Sequence, residues 1–544
     1  MSSTPIESAL KEWKESIGET NVVLRSSSNY IKYEDTSLGD KLREISAVLL
    51  PHTKEDVIAL VKIAGLYKIK LYPISTGKNS GYGGASPVVD GCVVVDMSRM
   101  IKITSIEPRL GLITIEPGVT FKQLGAYLKS SKLPFLSPSI GADHSCSVLG
   151  NLLERGHGDS SPVDRFSSLA AIEVVLSDGK VLSSVSDKKN DAISGFYKWG
   201  VGPYLDGLFG QSNFGIVTNI TISLTPIPES VECFTVIIDE SFPVSEVVSE
   251  IRNLNQRLGA IMPFIKIYNS HRMFSRLLPY PEGEVNIENG VLSDFYISNS
   301  SKDLGINTWT VVGSLAGDYG LVKVGKKIIY RSLSKLGEVY FFNRKSIEIS
   351  KSIIKSFPSF KKIINLPQLI PIFESVISNA YGNNTKPSSF PFWKQLSKLS
   401  VLDLEKIKKG YINFDNDFNS GIIFFSAVLP MIGENVDLFV EECLRVCKKN
   451  RIEPVMGLFN FTSTSIYVSL PILFDKSIKK EVLSAQLCYK ELLPILNKAQ
   501  GFIQRANIDQ MQAVVERSDV HWQVVEKIKK ALDPDSIFSP GRYS

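Results

Sequence analysis

The sequence predicts an α+β protein of more than one domain. Three observations carry this. The chain has 544 residues, too many for one ordinary core, so at least two domains share it and a cleft between them is expected. From about Ala47 to Pro228, short β-rich runs alternate with helical stretches, the pattern of a layered domain of helices and strands. From about Glu229 to Lys498 the segments lengthen and are richer in Phe, Lys and Ser, as in a second α+β domain.

In the first block, Thr53 precedes Lys54, Glu55 and Asp56 and an apolar period through Val57, Leu60, Val61 and Ala64. Thr120 with Gln123 makes a second capping-box signal before Leu124 and Leu128. Two helices start there. Val93 to Val95 and Leu112 to Ile115 are β-branched runs bounded by Gly and Pro, and Ile172 to Leu176 meets Val181 across Ser177, Asp178 and Gly179. These read as strands and a hairpin. In the second block, Thr235 to Ile238 and Ile466 to Leu470 alternate like strands. Ala499 to Ser544 holds an amphipathic helix from about Trp522 to Leu532 and a turn at Pro540 and Gly541, and could pack back onto the first domain. The expected division is therefore 1–228, 229–498 and 499–544.

Composition excludes several classes. With 43% hydrophobic and 22% charged residues, the chain is an ordinary globular one. A net charge of +5 is slight for this length, and no run of Lys and Arg interleaved with aromatics marks a nucleic-acid partner. Charged residues from Glu7 to Glu15 interrupt any secretory signal, so a cytoplasmic protein is expected. The most apolar segment, Gly421 to Gly433, is short of the roughly 20 residues of a membrane span and contains Pro430. It reads as a buried strand. Six cysteines do not make a disulfide framework, and Cys443 and Cys447 share one helical face with no His nearby, so core packing rather than a metal is expected.

The densest chemical signal is the loop from Pro73 to Ala85, which follows a predicted strand and holds Gly77, Gly81, Gly83 and Gly84. Consecutive N–H groups in such a turn make a concave nest for phosphate oxygens. Asn79 after Lys78 breaks the Walker pattern, and Ser86 breaks GxGxxG. A glycine-rich turn alone is equally an ordinary turn. Two further clusters matter. Ser137 to Gly141 leads through Ser147 to Asn151 into Leu153 to Gly158, where a short helix opening at Ser147 would present free N–H groups to an anion. Gly210 to Val217 places a glycine at the mouth of another strand, where backbone could contact a flat ring.

In this order and spacing, the three elements resemble the PCMH-type FAD-binding domain of the vanillyl-alcohol oxidase and 4-cresol dehydrogenase family. The likeness covers the first domain to about residue 228, weakens across the middle, and returns at 501–511 and 532–543. It implies that the N- and C-terminal pieces together hold FAD, with the middle as a cap over the flavin. It further implies that Ser75, Thr76, Gly77, Lys78, Asn79, Ser80 and Gly81 wrap the diphosphate, while Pro138, Ser139, Ser147, Asn151, Gly156 and Gly158 line the cofactor. Gly215, Ile216 and Val217 would meet the adenine end or its linker, and Arg505 and Arg542 would approach the flavin.

In phenol-oxidising relatives, a Tyr of the glycine loop, a second Tyr and the Arg after it bind the substrate as phenolate, and hydride passes to flavin N5. Tyr82 and Arg505 match two of these. Gln504 stands where the second Tyr would be, and Ser139 where a carboxylate occurs in one branch. A neutral amide there suits a carbonyl, amide or hydroxyl better than a phenolate. The resemblance puts Tyr467 at or beside a position of covalent flavin attachment; the expectation is noncovalent FAD, with a tyrosyl linkage as the alternative. His157, followed by Asp159, suggests an altered pocket rim, and His144 follows Asp143 in a two-residue insertion.

The leading reading is an FAD-dependent oxidoreductase that takes hydride from a C–H bond of a small substrate oriented by Tyr82 and Arg505. Oxygen or another acceptor would reoxidise it, and a homo-oligomer is expected. A 2-hydroxy-acid dehydrogenase of the wider superfamily is a second reading, although no His cluster for a cap metal is present, and a noncatalytic flavin-binding protein in a biosynthetic assembly is a third.

Overall fold

The computed structural model describes residues 4–543 except 28–29, 37, 40–41, 142–143, 159, 185–192, 279, 286–289 and 357–419; of the last stretch it describes 370, 373–374, 376–378 and 380–382. Three sheets organise the chain. The first has the order β1 (Val22–Val23), β2 (Ile45–Leu49), β4 (Cys92–Asp96), β3 (Leu71–Ile74), and its β2, β4 and β3 run parallel. Val93, Val94 and Val95 are wholly buried, as a parallel strand covered on both faces requires. The Lys54–Tyr67 helix packs on it, opened by the Thr53–Asp56 capping box.

The second sheet is antiparallel, in the order β5 (Ile103–Glu107), β6 (Leu112–Ile115), β9 (Ile216–Ser223), β7 (Leu169–Val175), β8 (Val181–Ser183). Its last pair is the expected hairpin: Val175 faces Val181, and Gly179 takes the positive φ (+78°) of the turn. The Phe121–Ser130 helix, capped by Thr120 and Gln123, and the short Val148–Leu153 helix cover this sheet.

The third sheet is large and antiparallel. Its strands are β10 (Ser230–Ile238), β11 (Phe264–Asn269), β12 (Trp309–Gly317), β13 (Gly337–Phe342), β14 (Ser420–Pro430), β15 (Gly457–Asn460), β16 (Ser465–Asp475) and β17 (Phe502–Arg505), in the order β13-β10-β12-β11-β15-β16-β14-β17. The apolar run after Gly421 is β14, paired on both sides and ended by Pro430. Helices Val244–Leu258, Tyr319–Leu333, Gly433–Lys449 and Lys479–Lys498 bury one face. Cys443, Cys447 and Cys488 are packed in that core, where their thiols hydrogen-bond. Among the described residues, no helix is long and apolar enough to cross a membrane. The other face of the sheet carries Phe264, Tyr268, Phe459 and Tyr467, and Val163 of the N-terminal part packs against that cluster.

The C-terminal piece serves both halves. Its strand β17 extends the large sheet at the β14 edge, after which the chain reaches the first sheet. There Leu71 N–H donates to Ile537 O at 2.7 Å and Ser539 N–H to Leu71 O at 2.8 Å. A buried clasp fixes this return. Asp533, fully buried, accepts from Lys529 Nζ at 2.5 Å and from the N–H groups of Ile537 and Phe538 at 3.0 and 2.9 Å; Lys529 also donates to Asn213 O at 2.6 Å. Asp533→Ala leaves a buried ammonium without its counter-ion. It should lower stability by about 3–5 kcal/mol, read as a fall in the thermal midpoint, while Glu526→Ala, in an exposed pair with Lys530, changes it little.

Candidate active site

The glycine loop and the short helix meet. Thr76 Oγ1 accepts from Ser147 N–H at 3.1 Å, and a Cβ on Gly150 would stand 2.3 Å from Ser75 Oγ. The loop turns on Gly77 (φ +67°) and Gly81 (φ +78°), and a Cβ on Gly81 would lie 2.4 Å from Phe424. The expected free donors at the helix start are otherwise engaged. Ser147 N–H goes to Thr76, Val148 N–H to Val119 O at 3.0 Å, and Gly150 N–H to Ser147 Oγ at 2.9 Å. The helix thus contributes a close-packed wall rather than an open N-terminus, because Ser147 is itself a hydrogen-bonded cap. Asn151 keeps one buried oxygen, Oδ1, with no hydrogen-bond partner among the described residues, and its amide group abuts Gly156, where a Cβ would come within 2.3 Å. Lys78 and Ser80 lie in the same loop, half-buried.

Other expected lining residues are more internal. Ser139 is fully buried, its N–H donating to Ser160 Oγ at 3.1 Å and its carbonyl accepting from Arg165. Pro138 beside it is half-buried, and Gly158 is pressed on the Arg165 guanidinium. Ile216 and Val217 start the central strand β9 with side chains in two hydrophobic cores, and Gly215 is packed against Val174. Only their backbone can face a ligand.

The reactive centre is built where β14, β16 and β17 of the large sheet meet the glycine loop. Phe424 N–H donates to Gly81 O at 3.1 Å, and the Tyr82 ring stacks on Phe424 at 5.5 Å. Tyr82 Oη lies 2.5 Å from Ser426 Oγ, which lies 2.8 Å from Tyr467 Oη. The Arg505 guanidinium sits 4.1 Å from the centre of the Tyr82 ring, a cation–π contact. Its Nη2 donates to Asn79 Oδ1, and its Nε is 3.3 Å from Glu154. Arg542 pairs with the other oxygen of Glu154 and is largely buried, so it is no solvated tail residue. Burial pushes the Glu154 carboxyl up, but Arg542 and then Arg505 outweigh this and hold it below the usual range.

Gln504 departs from expectation. Its side-chain amide donates to Arg155 O at 2.7 Å, and its backbone carbonyl accepts from the Gln211 side chain at 3.0 Å. The pairing with β14 shifts register at Gln504, with Arg505 opposite Ser426 and Ile503 opposite Ala427, and the Gln504 side chain goes to Arg155 rather than to the Tyr82 ring. A second phenol hydroxyl does lie near Tyr82, that of Tyr467, linked to it through Ser426. His157 stacks on Tyr467 at 5.8 Å and packs against Phe459 and Phe461. Lys122 N–H donates to the carbonyl of His144; Asp143 and Asp159 lie outside the described residues.

Comparison with known proteins places this geometry. The FAD binding domain family matches residues 45–184. The chain is 26% identical to the flavoprotein subunit of 4-cresol dehydrogenase [hydroxylating] of Pseudomonas putida, over 98% of this chain and 94% of that one. The crystal structure of p-cresol methylhydroxylase with substrate bound superposes with a TM-score of 0.84 at 25% identity, covering 99% of this chain and 96% of that one. The chain resembles the PCMH-type flavoproteins over its whole length. It is an FAD-dependent oxidoreductase. The flavoprotein is also 27% identical to 1'-carboxy-chondrochloren decarboxylase of Chondromyces crocatus, over 100% of this chain and 98% of that one.

The residues present fit FAD. The positive-φ glycines let the loop backbone approach a ligand, and the orphaned Asn151 Oδ1 offers a buried acceptor beside it. Sequence reading missed Glu154 and Ser426. Glu154 lies inside the Leu153–Gly158 motif, where a carboxylate among glycines is a signal; Ser426 is a lone hydroxyl in an apolar strand. Since the folded Glu154 carboxyl is lowered, its contribution to stability is present above the unfolded value near 4.3 and is lost as pH falls through the folded value. The acid limb of a stability–pH curve should therefore flatten in Glu154→Gln, which also loses stability at pH 7; an acid limb of unchanged slope would contradict this.

Proposed function

We propose that the flavoprotein oxidises a C–H bond of a small hydroxyaryl substrate whose hydroxyl is held at Tyr82. The observation that carries this is the hydroxyl chain Tyr467–Ser426–Tyr82 lying beside the Arg505 cation. FAD, when bound, accepts two electrons and a hydrogen from the substrate. The protein's part is to favour ionisation of the substrate hydroxyl, because an aryl oxyanion pushes electron density toward the bond to be broken. Burial, and then Tyr82 alongside, raise the Tyr467 phenol well above its ordinary range. Tyr467 therefore stays neutral and donates toward Ser426, which can donate to Tyr82. Such a chain polarises in one direction and stabilises an anion at its end. Arg505 adds its positive charge, and its guanidinium is held by the ion pair of Nε with Glu154 and by the hydrogen bond from Nη2 to Asn79.

The cresol that the similar enzymes act on supports a hydroxyaryl compound, and the similar decarboxylase supports a substrate that also bears a carboxylate. We propose noncovalent FAD, since the Tyr467 hydroxyl is engaged with Ser426; acid precipitation should then leave the yellow colour in the supernatant. Oxygen or another acceptor, and a homo-oligomeric state, remain part of the proposal.

Anaerobic mixing tests it. Para-substituted phenols should bleach the flavin band, whereas bleaching by 2-hydroxy acids or amines alone would refute the reading. Arg505→Ala should slow single-turnover reduction at least about tenfold, equivalent to about 1.4 kcal/mol of barrier. Tyr467→Phe removes a donor to the oxyanion, so the rise of the reduction rate with pH should move to higher pH; a profile that only scales down in height would indicate a packing role instead.

A further inference from the structure

Between β8 and β9 the chain makes a loop, residues 193–205, that is apolar and yet faces outward. Ile193, Phe196, Tyr197, Trp199, Val201 and Leu205 are all exposed, the three aromatics by more than half and Val201 by 84%. The loop is tied down at both ends. Ser194 Oγ lies 2.7 Å from Thr221 Oγ1 of β9, Gly195 turns at φ +75° where a Cβ would stand 2.7 Å from Ala170, and Gly200 N–H closes a turn on Tyr197 O at 3.2 Å. Beyond Leu205 the chain is anchored again at Asp206, which is buried and accepts from Ser184 Oγ at 2.5 Å. These apolar side chains are therefore held toward solvent in a fixed arrangement.

The area and the charge pattern select what covers them. The six side chains present on the order of 600 Å² of apolar surface, the upper end of what a monomeric protein shows. A polar rim brings this to the roughly 800 Å² that each partner of a stable dimer covers. Lys198 is the only charged residue from 193 to 205, and its ammonium turns back on the protein: Nζ donates to Ser167 O at 3.3 Å and lies 4.6 Å from the centre of the Trp199 ring. An anionic membrane would draw a lysine outward to its headgroups, and a partner recognised by opposite charge needs charges to meet. A surface that meets its own copy across a two-fold axis brings side chains near the axis against themselves, so it accommodates aromatics and excludes like charges. The loop has that composition.

We infer that residues 193–205 form a two-fold interface with a second copy of this chain, centred on Phe196, Trp199 and Val201. The inference rests on the homo-oligomeric state proposed above and names its surface; it is independent of the hydroxyaryl chemistry. Trp and Tyr are the side chains that most often carry interface energy. Trp199 is braced edge-on by Tyr204 at 5.1 Å, so little rotamer freedom is lost when the second copy packs on it.

Sedimentation equilibrium of the holoenzyme over a wide range of concentration tests this. The unaltered protein should show twice the 60.3 kDa of the chain. Trp199→Glu and Val201→Glu, which set like charges against each other across the axis, should each raise the dissociation constant at least about a hundredfold. Leu483→Glu, at an exposed position of the Lys479–Lys498 helix, should leave it unchanged. A holoenzyme that stays at 60.3 kDa throughout overturns the interface and the homo-oligomer together, whereas a dimer that withstands both loop substitutions overturns the interface alone. Monomeric protein that pellets with phosphatidylserine vesicles would make the loop a membrane contact and refute the self-pairing. Should the Glu variants fail to fold, hydrogen exchange of the unaltered holoenzyme decides: the amides of 196–202 must exchange more slowly at high than at low protein concentration, and exchange that ignores concentration overturns the interface.

Discussion

One carboxylate, Glu154, joins parts of the chain that lie far apart in sequence. It stands at the end of the Val148–Leu153 helix and meets Arg505 of β17 and Arg542 of the C-terminal turn; Arg505 also reaches Asn79 of the glycine loop. All three ionic side chains are largely buried. Such a cluster is not a source of net stability, since desolvation opposes the Coulomb gain. Its value is positional. Removing any member leaves uncompensated charge, so the geometry that puts a guanidinium over the Tyr82 ring is strongly enforced.

The rest of the site follows from the two-sidedness of the large sheet. Helices cover one face with an apolar core, which frees the other to confront the N-terminal part of the chain. That second face is unlike an ordinary core. It carries Ser426, Tyr467, Lys266, Thr310 and Ser314 among its aromatics, and buried polar groups in such numbers are kept only where something satisfies them or where chemistry needs them. The glycine loop meets the hydroxyl chain because Gly81 has no Cβ to strike Phe424.

Much of this was legible beforehand. The capping boxes at Thr53 and Thr120, the β7–β8 hairpin and the buried strand after Gly421 are local patterns, and they stand where expected. Tyr82 and Arg505 were legible by likeness to a family, and they meet. Strand β17 was not, since its four residues show no period of their own and are held by the edge of β14. Gln504 was misjudged for the same reason: its direction is set by that edge pairing, and identity alone says nothing about which face a side chain takes.

By itself the sequence determined many of the helices and strands and the glycine loop, because each depends on residues close together in the chain, while the class of cofactor was read from likeness to a family. Only the tertiary structure decided that Ser147 is a satisfied cap, that Tyr467 is joined to Tyr82 through Ser426, and that Glu154 pairs with Arg505 and Arg542. Those facts depend on sheet register and on contacts between distant segments, where a shift of one residue reverses the face presented.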